Sequence, residues 1–166
     1  MGEISVRMGE MAVSADPAVV LVSIGLGSCI GLALVDAAAG VCGLAHIMLP
    51  GPGDIERRSP STFADTGVPA LMGEIKALGA RRPVGVIVGG AQMFGAAGAG
   101  KMQVGNRNEE AVRAALKSAG IPIVAAETGG GSGRTIRVYL AEARVTSRVA
   151  GGTEADLYGR SLAVAA

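Results

Sequence analysis

Residues 18–35 form an eighteen-residue stretch without a single charge, interrupted by Gly25, Gly27 and Gly31. A run of this length is either a membrane span or structure buried on both faces, which leaves few folds open to the chain. By length alone it suits a transmembrane helix or the apolar part of a secretion signal. Against that, Asp16-Pro17 precedes it instead of a basic segment, and its Val and Ile pairs suit buried strands. It therefore reads as two strands, 19–24 and 30–36, joined by the turn Gly25-Leu26-Gly27-Ser28-Cys29.

A third apolar run, 41–49, follows after Ala37-Ala38-Ala39-Gly40, the length of an ordinary hairpin loop. Residues 3–13 read as one or two short edge strands. Pro50-Gly51-Pro52-Gly53 ends the third run, and the polar segment 54–62 reads as a mobile loop suited to a lid. Apolar Val68, Leu71, Met72, Ile75 and Leu78 recur at helical spacing over 64–79, with Asp65 or Thr66 as the N-terminal cap. A second helix is expected over 107–119, capped by Asn106 or Asn108 and stopped by Gly120. Further strands are expected at 83–88, 121–126, 135–140 and 143–149, and residues after Gly151 read as frayed.

The order predicts an α/β (α+β) fold: a layered sandwich of mixed, largely antiparallel β-sheet with two main helices. At 166 residues the chain suits a single domain over 1–150 with a C-terminal tail, 151–166. Fifteen basic against fourteen acidic residues give a net charge of +1, and with no Trp, two Tyr and two Phe there is no platform for stacking bases. Nucleic-acid binding and membrane insertion are therefore not expected.

Two cysteines and one histidine make neither a disulfide framework nor a four-ligand zinc site, which fits a reducing cytoplasm. They do supply the parts of cysteine hydrolysis, a thiol and a base to take its proton. If the 37–40 loop pairs Asp36 with Val41, paired residue numbers sum to 77 and His46 lies opposite Gly31. Cys29 is then its diagonal neighbour, on the order of 7–8 Å away. A bulge at Gly40 would break that parity. From spacing alone Cys29 reads equally as a buried strand-start residue and as a nucleophile. The glycines and the amides of Ser28 and Cys29 suit close approach of a substrate and an oxyanion. Cys42, roughly 13 Å along the strand from His46, reads as a small core residue.

Gly95-Ala96-Ala97-Gly98-Ala99-Gly100-Lys101 matches phosphate-loop spacing up to its last position, where Met102 replaces the Ser or Thr that holds magnesium. The Gly129-Gly130-Gly131-Ser132-Gly133 segment reads as a flexible hairpin turn in preference to an anion cradle.

Gly25-Leu26-Gly27-Ser28-Cys29, with His46 seventeen residues after the cysteine in Ala45-His46-Ile47-Met48-Leu49-Pro50, closely resembles the CheD chemoreceptor glutamine deamidases. Phe63-Ala64-Asp65-Thr66, Gly89-Gly90-Ala91-Gln92-Met93-Phe94, Gly105-Asn106-Arg107-Asn108 and Glu127-Thr128-Gly129-Gly130 match later family blocks in order, over roughly residues 3–150. The resemblance implies a CheD-like fold, also similar to the deamidating cytotoxic necrotizing factor toxins. It implies a cytoplasmic, cofactor-free hydrolase acting on glutamines of chemoreceptor cytoplasmic helices. The family's catalytic Cys, His and Thr fall on Cys29, His46 and Ser23, with Gly27 and Ser28 in the oxyanion and substrate loop. Ser23 departs from the family threonine: it keeps the hydroxyl and lacks the methyl that fixes the rotamer. The alternative is a non-catalytic adaptor that binds a CheC-type phosphatase, a partner also compatible with the enzyme.

Overall fold

The computed structural model describes residues 2–51, 60–92 and 104–159. Among the described residues ten strands and two helices follow in the order β1 (Gly2–Ser5), β2 (Met11–Ser14), β3 (Val19–Leu26), β4 (Ile30–Asp36), β5 (Val41–Ile47), α1 (Ala64–Ala77), β6 (Val84–Gly89), α2 (Val104–Ser118), β7 (Ile123–Thr128), β8 (Arg134–Tyr139), β9 (Arg144–Val149) and β10 (Ala155–Tyr158). A short 3-10 turn, Pro60–Thr62, precedes α1.

The strands make two five-stranded sheets, ordered β1-β3-β8-β9-β10 and β2-β5-β4-β6-β7. Both are mixed: β1 runs parallel to β3 and β6 parallel to β7, while the other pairs are antiparallel. Alternation along the second sheet sends its side chains into two cores. Ala33, Val35, Cys42, Leu44, Val86 and Val88 meet Leu21, Ile136 and Val138 of the first sheet. Ile30, Leu32, Leu34, Ala45, Ile47 and Ile87 instead meet Val68, Leu71 and Ile75 of α1 and Val112 and Leu116 of α2. The layers are therefore sheet, sheet, helices, and the predicted sandwich holds. Every residue of β4 and β5 is buried, which is why the sequence there is apolar without alternation.

The uncharged stretch is two strands, as its glycines predict, but β3 and β4 lie in different sheets, so the 27–29 turn crosses the sandwich. No described helix is long and apolar enough to cross a membrane.

Several local expectations give way to packing. The α1 N-cap position is Phe63, extended and without a side-chain cap, because Leu49 bridges Phe63 and holds the chain straight up to the helix. Thr66 donates instead to the Pro60 carbonyl, and Leu78, expected on the buried stripe, is 44% exposed at the helix end. Helix α2 starts at Val104, so Asn106 and Asn108 lie inside it and cap nothing. Gly120 does stop it, at φ +72° with its N–H on the Lys117 carbonyl.

The Gly129–Gly133 segment is no hairpin: it carries the chain from the second sheet to the first, and Gly129 N–H donates to the Gly89 carbonyl. Fraying after Gly151 does not extend to β10, which pairs antiparallel with β9. In the expected lid, Ser61 and Thr62 are buried, with Ser61 Oγ donating to the Gly9 carbonyl. Residues 54–59 of that loop, the phosphate-loop-like 95–102 and the tail from 160 lie outside the described residues.

Candidate active site

The β4–β5 register runs from Asp36↔Val41 through Gly31↔His46 to Ile30↔Ile47, each pair summing to 77. No bulge intervenes, so His46 faces the same side as Cys42 and Leu44, into the space between the sheets. Cys29 immediately precedes β4 and packs against that inter-sheet cluster, half-buried. The thiol and the imidazole thus share one side of the second sheet at its Ile30–Ile47 end.

Ser23, fully buried on β3, reaches across from the opposite sheet. Its Oγ donates to the Val6 carbonyl at 2.7 Å and lies 2.8 Å from His46 Nδ1. A hydroxyl has one proton, and Val6 takes it, so Ser23 Oγ must accept from Nδ1–H. That assigns the neutral tautomer with the proton on Nδ1 and a bare lone pair on Nε2. Nε2 is buried and has no hydrogen-bond partner among the described residues. The imidazole backbone is held as well: His46 N–H donates to Glu10 C=O and Gly9 N–H to His46 C=O.

Burial lowers the His46 pKa below the ordinary imidazole value, against the raising influence of the Val6 carbonyl and the Glu10 carboxylate. Burial raises the Cys29 thiol. Both shifts favour uncharged forms, so the free site holds a neutral thiol and a neutral imidazole. Cys42, also desolvated and close to the Asp36 carboxylate, is pushed up to about 12, which fits an inert core thiol.

The turn carrying Cys29 is pinned at three successive carbonyls. Ala91 N–H donates to Gly27 C=O at 2.8 Å, Asn108 Nδ2 to Ser28 C=O at 2.8 Å, and Gly90 N–H to Cys29 C=O at 2.9 Å. Two glycines permit this approach. A Cβ on Gly89, whose φ is +117°, would sit 2.1 Å from the Cys29 carbonyl oxygen. One on Gly105 would sit 2.5 Å from the carbonyl oxygens of both Gly90 and Ala91. The 129–133 crossover closes the flank: Arg134 Nη1 donates to Gly129 C=O at 2.8 Å, and Arg134 Nε pairs with Glu127 at 3.2 Å.

The structure therefore brings together Cys29, His46, Ser23, Gly27 and Ser28. Sequence reasoning missed Asn108 and the Val6 carbonyl. Asn108 had a readable signal, since Gly105, Asn108, Val112 and Leu116 form the buried stripe of α2 and a cap does not belong on one. Val6 contributes only backbone and left no signal. No cluster of three or more His, Cys, Asp or Glu side chains suited to a metal occurs among the described residues.

Known proteins resemble this chain over most of its length. Residues 48–149 match the family model described as CheD chemotactic sensory transduction. The chain is similar to the chemoreceptor glutamine deamidase CheD of Thermotoga maritima, at 39% identity over 90% of this chain and 93% of the relative. It is similar to the probable chemoreceptor glutamine deamidases CheD of Caldanaerobacter subterraneus subsp. tengcongensis, at 43% over 88% and 92%, and of Methanococcus vannielii, at 40% over 87% and 94%. With three-fifths of its length on the family model and relatives of this identity covered almost end to end, the chain belongs to the CheD chemotactic sensory transduction family.

Proposed function

We propose that the protein hydrolyses glutamine side-chain amides of chemoreceptor cytoplasmic helices to glutamate, with Cys29 as nucleophile and His46 as general base and acid. The observation that carries this reading is the Val6–Ser23–His46 relay, which leaves a bare Nε2 lone pair on the side of the sheet that Cys29 shares.

In the first half-reaction His46 Nε2 takes the thiol proton as sulfur attacks the carboxamide carbon. The C–S bond forms, and the carbonyl π pair moves to oxygen. Ser23 Oγ, accepting from Nδ1–H, holds the ring and stabilises the imidazolium. The Ser28 and Cys29 N–H groups face the oxyanion. His46 passes its proton to the nitrogen, the C–N bond breaks, and ammonia leaves a thioester. A water then gives a proton to His46 and its oxygen to the acyl carbon. The C–S bond breaks, and the thiolate recovers the proton. Each event replaces a neutral amide by a carboxylate and so changes the receptor's charge. Such a substrate places the protein in the cytoplasm.

The test is ammonia release from a purified chemoreceptor cytoplasmic fragment, with the modified glutamines mapped by mass spectrometry. Activity is expected in the wild type and lost in Cys29→Ala. Activity surviving in that variant would overturn the nucleophile assignment. An inactive wild type that binds a CheC-type phosphatase would instead favour the adaptor role.

A further inference from the structure

We propose that Asn108 is a positioning residue that sets the direction of the Cys29 N–H and thereby builds the oxyanion donor. The inference rests on the deamidase reading above.

Asn108 is fully buried on the α2 stripe between Gly105 and Val112. Its Nδ2 donates to two carbonyls at 2.8 Å each, Ser28 C=O on the nucleophile turn and Met48 C=O two residues past His46. Both neighbours only accept, so the amide orientation is forced. Asn108 Oδ1, by contrast, is buried with no partner among the described residues. An apolar residue would fill this stripe position without leaving a buried acceptor unpaired, so packing is no reason for an amide here. The reason lies in what its two protons hold.

Ser28 C=O and Cys29 N–H belong to one peptide plane, and no peptide bond among the described residues is cis. In a trans peptide the two groups point in opposite directions. By holding the Ser28 carbonyl toward α2, Asn108 turns the Cys29 N–H away from it, out of the turn. The Ala91 bond to Gly27 C=O does the same for the Ser28 N–H. Neither N–H donates to another described backbone group. Two adjacent donors, on Ser28 and on the thiol-bearing Cys29, are thus aimed where charge develops when sulfur attacks a carboxamide. Through Met48 the same side chain ties the segment following the base to the turn bearing the nucleophile. Donors fixed before reaction need no reorganisation during it, and an unpinned Ser28–Cys29 peptide loses that advantage.

The experiment compares full-length wild type, Asn108→Ala and Asn108→Ser for ammonia release from the chemoreceptor cytoplasmic fragment, Cys29 alkylation by iodoacetamide, and thermal unfolding. Alkylation consumes the thiol but needs no oxyanion donor. In Asn108→Ala, kcat is expected to fall about 10- to 100-fold with KM and alkylation rate unchanged. Asn108→Ser, whose hydroxyl donates one bond, is expected to recover part of kcat. A folded Asn108→Ala with wild-type kcat would overturn the proposal and leave the deamidase reading standing. So would kcat and alkylation falling together, which would make Asn108 a support for the thiol and not for the amide. If Asn108→Ala does not fold, the serine variant is judged by the same two outcomes. No ammonia from the wild type would remove the deamidase reading and the proposal with it.

Discussion

His46 and Ser23 sit on different sheets, yet Nδ1 and Oγ are 2.8 Å apart, and the hydroxyl's only proton is already given to Val6. The relay reads in one direction, from imidazole to serine to a main-chain carbonyl. A carboxylate in the serine's place would hold the ring and also raise its basicity, whereas a hydroxyl holds the ring and leaves it weakly basic.

Removing the relay separates orientation from binding. Ser23→Ala removes the hydroxyl that accepts from Nδ1–H and donates to the Val6 carbonyl in the core, a cost of about 1–3 kcal/mol in stability. With the tautomer no longer enforced, kcat is expected to fall by about 10²-fold or more while KM changes little. Steady-state ammonia release and thermal unfolding check both; a kcat equal to wild type would show that Ser23 does not orient the base.

The pH dependence follows from the two opposed shifts. With the His46 pKa depressed, the imidazole stays neutral to below the ordinary value of about 6.5, so the acid limb of kcat/KM should lie under that pH. With the Cys29 thiol raised, its alkylation rate should keep climbing above the ordinary thiol value of about 8.5. Cys42 should react only after unfolding. An alkylation profile already flat at neutral pH would reveal a preformed thiolate–imidazolium pair and contradict the neutral resting site.

Two glycines should respond in opposite senses. Gly89→Ala drives a Cβ into the Cys29 carbonyl at a positive φ, costs on the order of 1–3 kcal/mol in backbone strain alone, and should abolish activity by displacing the turn. Gly73, exposed in the middle of α1 with nothing within 4 Å of its added Cβ, should accept Ala with a gain of about 0.5–1 kcal/mol. Denaturant titration of both variants measures these differences.

At the far end of β4 from Cys29, the buried Asp36 carboxylate accepts from the Ala39, Arg81 and Arg82 amides, at 3.1, 2.7 and 2.9 Å. Burial alone would raise its pKa, but the backbone donors outweigh it and the net shift is downward. A depressed folded-state pKa means the unfolded chain binds the proton more tightly. The contribution is therefore complete above the unfolded value of about 3.9 and lost as pH falls through the folded one. Asp36→Ala should lower stability by about 1–3 kcal/mol at neutral pH, and its deficit against wild type should shrink on acidification, as read by melting at successive pH values.

The sequence by itself determined the elements and much of their local geometry. Unbroken apolar runs mark β4 and β5 as buried on both faces, a four-residue loop sets the register that puts His46 opposite Gly31, and the three- and four-residue spacing from Val68 to Ile75 marks the face α1 buries. These are short-range consequences of side-chain period and loop length. Which layer each face meets was decided only by the tertiary structure. Nothing local says that the Gly25–Cys29 turn crosses between sheets, that the 129–133 glycines do the same, or that residues 155–158 find an edge on β9. For the same reason Asn108 reads as a cap until α2 is seen to start four residues earlier, with its amide over Ser28. Periodicity encodes the direction of a side chain, whereas the partner it meets depends on how two sheets and two helices stack to bury their apolar faces at once. Cys29 and His46 are legible as neighbours because one hairpin holds them, and Ser23 joins them only because the sheets close on each other.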